Sequence, residues 1–418
     1  MDRSRRVAGV AVLLALVGLA VLRSQLGTRL DSFTVDEAWH IVAGTAYVRH
    51  DDYRLNPEHP PLTKLWVGLF MPDSFVVPPP LQLSEKSQER ELVEATMFLE
   101  NDSAAAQARA RIAMWILHAT LLLALGLLMW RAFGLPWAAA TLAVLAIEPS
   151  VAAHLPVVMT DLTLARGLAI AVVASGLLAA HWQWRWVLAV AAGMGVALGA
   201  KHSALAGLAG IALVLMLAAA VGWRQGGSRE LMRRGAMAVG AGLLAVLLLW
   251  AQYGLRFHAG ADGSDAFNRS MEAKTADLNI PHWRAAVAFA DRAQLLPRAY
   301  LWGLADTVRA GVEGRGQPSH FIWGVQHVGD APWFTWPAVV LSKVPLALLA
   351  LAAFAAALLF RARLPAPARW GLWVLLGSSS AATAAPTVRE RRCQASAAAP
   401  PHSSASASTS GRAWRMPP

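Results

Sequence analysis

The sequence predicts an all-α polytopic membrane protein. Three observations carry this. Only 15% of the 418 residues are charged and 56% are hydrophobic, whereas a soluble domain carries about 25% charge. Apolar runs about long enough to cross a bilayer recur along the chain. Arginines collect at one set of run ends, which is a topology signal.

The first run follows MDRSRR and reaches Leu26. No small-x-small cleavage site precedes the next loop, so this reads as an uncleaved span with its Arg-rich end in the cytoplasm. A first outer loop over 27–110 follows. Its second half is polar, and Leu92, Thr96 and Leu99 fall at helical spacing, as in an interfacial or solvated helix. Further spans are expected at about 111–130, 135–153, 161–180, 185–200, 203–222, 235–256 and 336–360, with another from Trp370. That makes about nine, since ~20 residues at 1.5 Å rise cover ~30 Å. Connections assigned to the cytoplasm hold Arg131, Arg185, Arg224, Arg229, Arg233, Arg234, Arg361, Arg363 and Arg369. The short outer turns hold only Lys201. A second large outer loop, 257–335, is punctuated by prolines and too long to lack helices of its own. Many of the 18 Trp lie at segment ends, where the membrane interface favours them.

Residues 1–377 therefore read as one transmembrane domain. The Ala/Ser/Pro-rich tail over 378–418 cannot form a packed core. It reads as a disordered tail or, because it interrupts a span, as a frameshifted or truncated end. The single cysteine, Cys393, allows no intramolecular disulfide.

The net charge of +11 would suggest nucleic acid in a soluble protein. Here topology accounts for much of it, and an anionic lipid phosphate would use more, so no nucleic-acid partner is expected. The stretch 31–66 concentrates Asp36, Glu37, His40, Glu58, His59 and Lys64 beside a span, a density that membrane proteins rarely carry without function. Asp36 and His40 are four apart and share a helix face. An Asp beside a His can take a proton from a hydroxyl; an ordinary acidic loop is the bland alternative. Pro60 and Pro61 stiffen a turn into a new helix, whose N-terminus with Lys64 suits a phosphate. Asp161 opens the fourth expected span and either complements its dipole or faces a cavity shared with Asp36. Arg166, inside that span, needs a partner, for which Asp161 and Glu148 are candidates. Lys343 interrupts the outer half of an apolar run, either to hold an anionic headgroup or to snorkel. No nucleotide-binding motif stands in a supporting context. Carboxylates near an outer surface can bind a divalent metal, though no ligand spacing here is diagnostic of one, and no other cofactor is indicated.

Taken in order, these pieces resemble membrane glycosyltransferase family 39, the protein O-mannosyltransferase and aminoarabinose-transferase type with the GT-C fold. The matching elements are Asp36-Glu37, the HPPL-x-K element His59 to Lys64, Asp161, and the LP-x-x-Y-x-x-G-L pattern within 295–304. A "WWYYFP…KTPL"-like stretch runs from Ala331 to Pro337 and from Lys343 to Leu346, with Val344 where the family has Thr. The resemblance covers about residues 1 to 375; the family's last spans are missing. It implies sugar transfer from a polyprenyl-phosphate donor to a protein hydroxyl, lipid or glycan outside the cytoplasm, at a cell (inner) membrane. It further implies Asp36 as base, with Glu37 beside it and Asp161 as a second acid. His40, Glu58, His59, Lys64 and Lys343 would bind substrate. The rival from another class is a transporter or flippase of a lipid-linked substrate. It would place paired polar residues at mid-membrane, whereas the polar residues here crowd the outer edge.

Overall fold

The computed structural model describes residues 3–79, 83–313, 319–329, 331–359 and 364–374. All of these lie in one compact unit, Met1–Ala382. The second unit, Thr383–Pro418, and with it the expected low-complexity tail over 378–418, lies outside the described residues.

The chain is mostly helical and fits a multi-pass membrane protein. Among the described residues five helices are long and apolar enough to cross a bilayer: α1 (Arg3–Thr28), α5 (Ser103–Phe133), α8 (Asp161–His181), α10 (Ala204–Val221) and α11 (Trp223–Gln252). Two expected spans are shorter apolar helices, α6 (Leu135–Ile147) and α9 (Trp184–Ala200). The run over 135–153 stops early because Glu148-Pro149 starts a new helix, α7 (Pro149–His154). The Glu148 carboxylate caps it by accepting from Val151 N at 2.5 Å. The run over 336–360 is also broken. It forms α15 (Thr335–Lys343) and α16 (Leu346–Leu359), bent by 114°, where Pro345 removes a backbone donor. In α11 the non-helical Gly226 and Gly227 separate the first residues, Trp223 to Gln225, from a helix that carries Arg229, Arg233 and Arg234 and then the apolar part.

Side-chain bonds show which helix ends lie together. Arg23 Nη1 of α1 donates to Ala146 O of α6, and Arg111 Nη1 of α5 donates to Thr28 O. Arg111 Nη2 donates to Asp31 O, and Lys201, after α9, pairs with Asp161 at the start of α8. At the opposite end Arg233 Nη1 donates to Trp182 O, between α8 and α9. Small residues meet between α8 and α9, Gly167 against Ala197 and Gly193 against Ala171. In lipid, where apolar burial gives helices little preference for one another, close packing of small residues is what joins them.

The stretch expected as a polar outer loop is largely interior. Helix α2 (Glu37–His50) buries Ala38, Ile41, Val42, Ala43, Ala46 and Tyr47. It packs on α3 (Leu62–Gly68) at a crossing where backbone meets backbone. A Cβ on Gly44 would lie 2.0 Å from Lys64 O, and one on Gly68 would lie 2.2 Å from Gly44 O. Helix α4 (Lys86–Phe98) buries Glu89, Val93, Thr96 and Met97. The expected face included Leu99, which instead lies past the helix end and is 84% exposed. The second long segment contributes α12 (Met271–Ala276), α13 (Pro281–Arg292), α14 (Arg298–Thr307) and a π-helical turn, Val308–Glu313. It also holds an antiparallel hairpin, β1 (Ser319–Ile322) and β2 (Val325–Val328), a departure from the purely helical expectation.

Gly44→Ala is expected to lower stability by about 1–3 kcal/mol, the usual cost of overpacking. Gly18→Ala, with open space around its Cβ, is the control. Thermal melts of both variants in the same detergent check this.

Candidate active site

Both long segments reach the same end of the bundle and enclose a cleft of about 1080 Å³. The first segment lines it with Asp36, Trp39, His40, Asn56, Glu58, His59, Lys86 and Arg90; the second with Asn268, Arg269, Lys274, Trp302, Asp306 and Arg309.

The Asp36-Glu37 pair divides at the start of α2. Asp36 occupies the N-cap position, makes no side-chain cap bond, and is exposed in the cleft. Glu37 turns inward and is fully buried. Its carboxylate accepts from Thr34 N at 2.7 Å and Val158 N at 3.2 Å. It therefore braces α2 against the segment before α8 and stands outside the cleft lining.

His40 follows Asp36 by one turn, as the spacing predicts, and its ring meets His59 edge to face at 5.5 Å. Burial, followed by the charge of Lys64, holds His40 well below its ordinary range. Burial, then Lys64 and Lys201, pushes His59 down to about 4. Both rings are neutral at pH 7, so each offers one donor and one acceptor nitrogen.

The turn bearing Glu58 and His59 is fixed through Asn56, which takes a left-handed φ of 50° that Asn tolerates better than most residues. Lys64 Nζ donates to Asn56 O, to Asn56 Oδ1 at 3.2 Å and to Tyr47 Oη at 2.9 Å. Tyr47 Oη donates to Leu55 O at 2.6 Å. Lys64, expected to meet a phosphate, thus lies fully buried beneath the turn and outside the cleft lining. Its reach is spent on the carbonyls of its own loop. Burial pushes its ammonium down to about 7.

From the other side Glu89 Oε1 accepts from Asn56 N at 2.5 Å. Glu89 Oε2 accepts from Lys86 Nζ at 2.9 Å and from Asn268 Nδ2 at 2.6 Å. This carboxylate, 1% exposed, joins the two segments. Lys86 also pairs with Glu58 at 2.7 Å and lies 4.0 Å above the Trp39 ring. A similar unit faces it: Lys274 pairs with Asp306 at 2.5 Å and lies 4.0 Å above the Trp302 ring. Arg269 and Arg309 both engage Asp277. Gly303 lets α14 close the cleft, since a Cβ there would lie 2.2 Å from Pro57 O.

The remaining expected residues lie elsewhere. Asp161 is exposed and pairs with Lys201 at 2.6 Å. It lines a separate hollow of about 280 Å³ with His154 and Met159. The Thr63–Thr163 hydroxyl contact of 3.4 Å places the start of α8 beside α3. Asp161 thus does not share a cavity with Asp36. Arg166 is buried, and its Nε and Nη2 have no hydrogen-bond partner among the described residues. Its expected partners are engaged elsewhere, Asp161 by Lys201 and Glu148 by the cap of α7. Lys343 ends α15, is exposed, and does not line the cleft. Among the described residues no three His, Cys, Asp or Glu side chains gather as metal ligands would.

Sequence reasoning missed Glu89, Lys86, Asn268, Lys274 and Asp306. The i,i+3 spacing of Lys86 and Glu89 was an available signal. The links from Glu89 to Asn268 and from Lys274 to Asp306 span 179 and 32 positions and leave no local trace.

Glu89→Ala leaves buried donors on Asn56 and Asn268 unpaired and is expected to cost about 1–3 kcal/mol; thermal unfolding of the variant measures it. Lys64 gives a pH signature. Between about 7 and its ordinary 10.5 the folded protein holds Lys64 neutral while the unfolded chain protonates it. The unfolded state then binds more protons, so stability rises with pH across that window. Lys64→Met is expected to flatten this slope in melts from pH 6.5 to 9.5.

No family model matches the chain, and a search of curated proteins finds no match.

Proposed function

We propose that the cleft transfers a sugar from a polyprenyl-phosphate donor to a hydroxyl of a protein, lipid or glycan acceptor. The observation that carries this reading is the Asp36 carboxylate. It is exposed in a cleft that also holds two neutral histidines and cations from both segments. The Asp36 carboxylate takes the acceptor hydroxyl proton as the acceptor oxygen bonds to the sugar anomeric carbon. The bond from that carbon to the phosphate oxygen breaks, and the lipid phosphate leaves as an anion. Anion departure needs cationic stabilisation, and Lys86, Arg90, Arg269, Lys274 and Arg309 are the lining cations. In this reading they replace Lys64 and Lys343 as phosphate holders. His59 and Glu58 orient the sugar hydroxyls.

In the same reading the cleft faces away from the cytoplasm and the N-terminus lies inside. Arg-rich ends such as Arg233 lie at the bundle end opposite the cleft, as the positive-inside rule requires. Glycosyltransferase family 39 with the GT-C fold is the family proposed. One observation favours the transporter reading: Arg166 and His118 are buried within the bundle with unpartnered nitrogens among the described residues.

Purified chain assayed against a panel of polyprenyl-phosphate sugars is expected to transfer one of them. Asp36→Asn is expected to lower turnover by a factor on the order of 10²–10⁴, with Lys343→Ala near wild type. Full activity of Asp36→Asn would remove the assignment, and lipid-linked sugar crossing proteoliposomes without transfer would favour transport.

A further inference from the structure

The segment after α14 exposes an unusual set of aromatic side chains. Hairpin residues Phe321 and Trp323 are 76% and 67% exposed, and Trp333 and Trp336 beyond it are 88% and 76% exposed. Val325 and Val328 are exposed on opposite faces of the hairpin, and Leu341 is exposed on α15. From 319 to 342 the sequence has a single charged residue, Asp330. A concentration of exposed large apolar side chains such as this marks an interaction site rather than a water-facing surface.

The backbone shows the same bias. A two-stranded hairpin is at best marginally stable in water, and here both faces carry exposed apolar side chains. Its turn places Trp323 at φ 50° and Gly324 at φ 84°. This type of turn favours Asn-Gly, and a bulky residue at positive φ is costly. Trp323 therefore sits at the tip at some expense. Its ring stacks on Phe334 at 6.0 Å and 14°, and its Nε1 donates to Ser342 Oγ at 3.3 Å. Hairpin, Trp333-Phe334 and α15 thus form one unit.

We propose that this unit is an aromatic paddle seated in the headgroup region of the lipid leaflet on the cleft side. Three observations select a lipid surface as its occupant. The paddle runs directly into α16, a wholly apolar helix. With α16 upright, the 114° bend lays α15 close to the bilayer plane. Lys343 lies exposed at that bend, where its ammonium reaches the headgroups while α16 enters the acyl region. Trp is the side chain of this interface, and the open hairpin edges need the polar partners found there rather than in the acyl core. The preceding turn is fastened at the cleft end, because Glu313 accepts from Asn279 N at 2.9 Å and Ile280 N at 2.8 Å.

The test uses the full chain in nanodiscs of phosphatidylethanolamine and phosphatidylglycerol, with Cys393→Ser as background. Nitroxide labels are placed at Val325→Cys and Val328→Cys, and at Ala261→Cys as a water-exposed control. These positions are exposed, so labelling leaves the packing intact. Collision rates with oxygen and with a water-soluble nickel chelate are then compared. The oxygen-to-nickel ratio at 325 and 328 is expected to exceed the control several-fold. A ratio equal to the control would overturn the proposal. Shielding from both reagents would also overturn it, by showing a protein cover. Neither outcome depends on sugar transfer, so the paddle and the proposed activity stand or fall separately.

Discussion

The cleft depends on one buried carboxylate. Glu89 accepts from Asn56 of the first segment, from Lys86 of its own helix and from Asn268 of the second segment. A carboxylate taken out of water is costly unless its oxygens are well bonded. No single segment here supplies all three donors. The charge is tolerated only when both long segments are in place, so satisfying Glu89 and closing the cleft are one event. Asn56 is then held from opposite sides, by Glu89 at its N–H and Lys64 at its carbonyl. Glu58 and His59 inherit their positions from it.

This architecture separates groups that brace from groups that face the cleft. Glu37 and Lys64 are buried; Glu37 is held by backbone amides, and Lys64 by Asn56 and the Tyr47 hydroxyl. Asp36, His40 and His59 are close in sequence to these braces and line the open volume. The two lysine–tryptophan pairs follow the same logic from opposite segments. Each ammonium is pinned by a carboxylate and a ring face, which limits the rotamer freedom lost when an anion arrives.

Much of the fold was legible in the sequence because membrane spans announce themselves by length and apolarity. Helices α1, α5, α8, α9 and α10 lie close to where the runs place them. The misses were at Glu148-Pro149 and Pro345, where proline broke a run that hydropathy alone joined. At the site, the 31–66 stretch was legible as unusual, and the shared face of Asp36 and His40 followed from helix spacing. Which way each side chain points was not legible. Asp36 and Glu37 are adjacent and equally acidic, and the amides that hold Glu37 inward include that of Val158, 121 positions away. The inward turn of Lys64 was not legible because its partners are Tyr47 on α2 and Asn56 in a loop whose path the sequence does not specify. The second segment's share of the cleft rests on contacts between residues far apart in the chain.

The central claim is that a lipid-linked sugar occupies the cleft formed jointly by the two segments. The most direct measurement is photocrosslinking with a diazirine-bearing polyprenyl-phosphate sugar, with labelled sites mapped by mass spectrometry. The account predicts adducts on both 35–40 or 84–90 and 268–274 or 302–309, suppressed by excess unlabelled donor. Competable adducts confined to the hollow around Asp161, or to the bundle interior around Arg166, would contradict it.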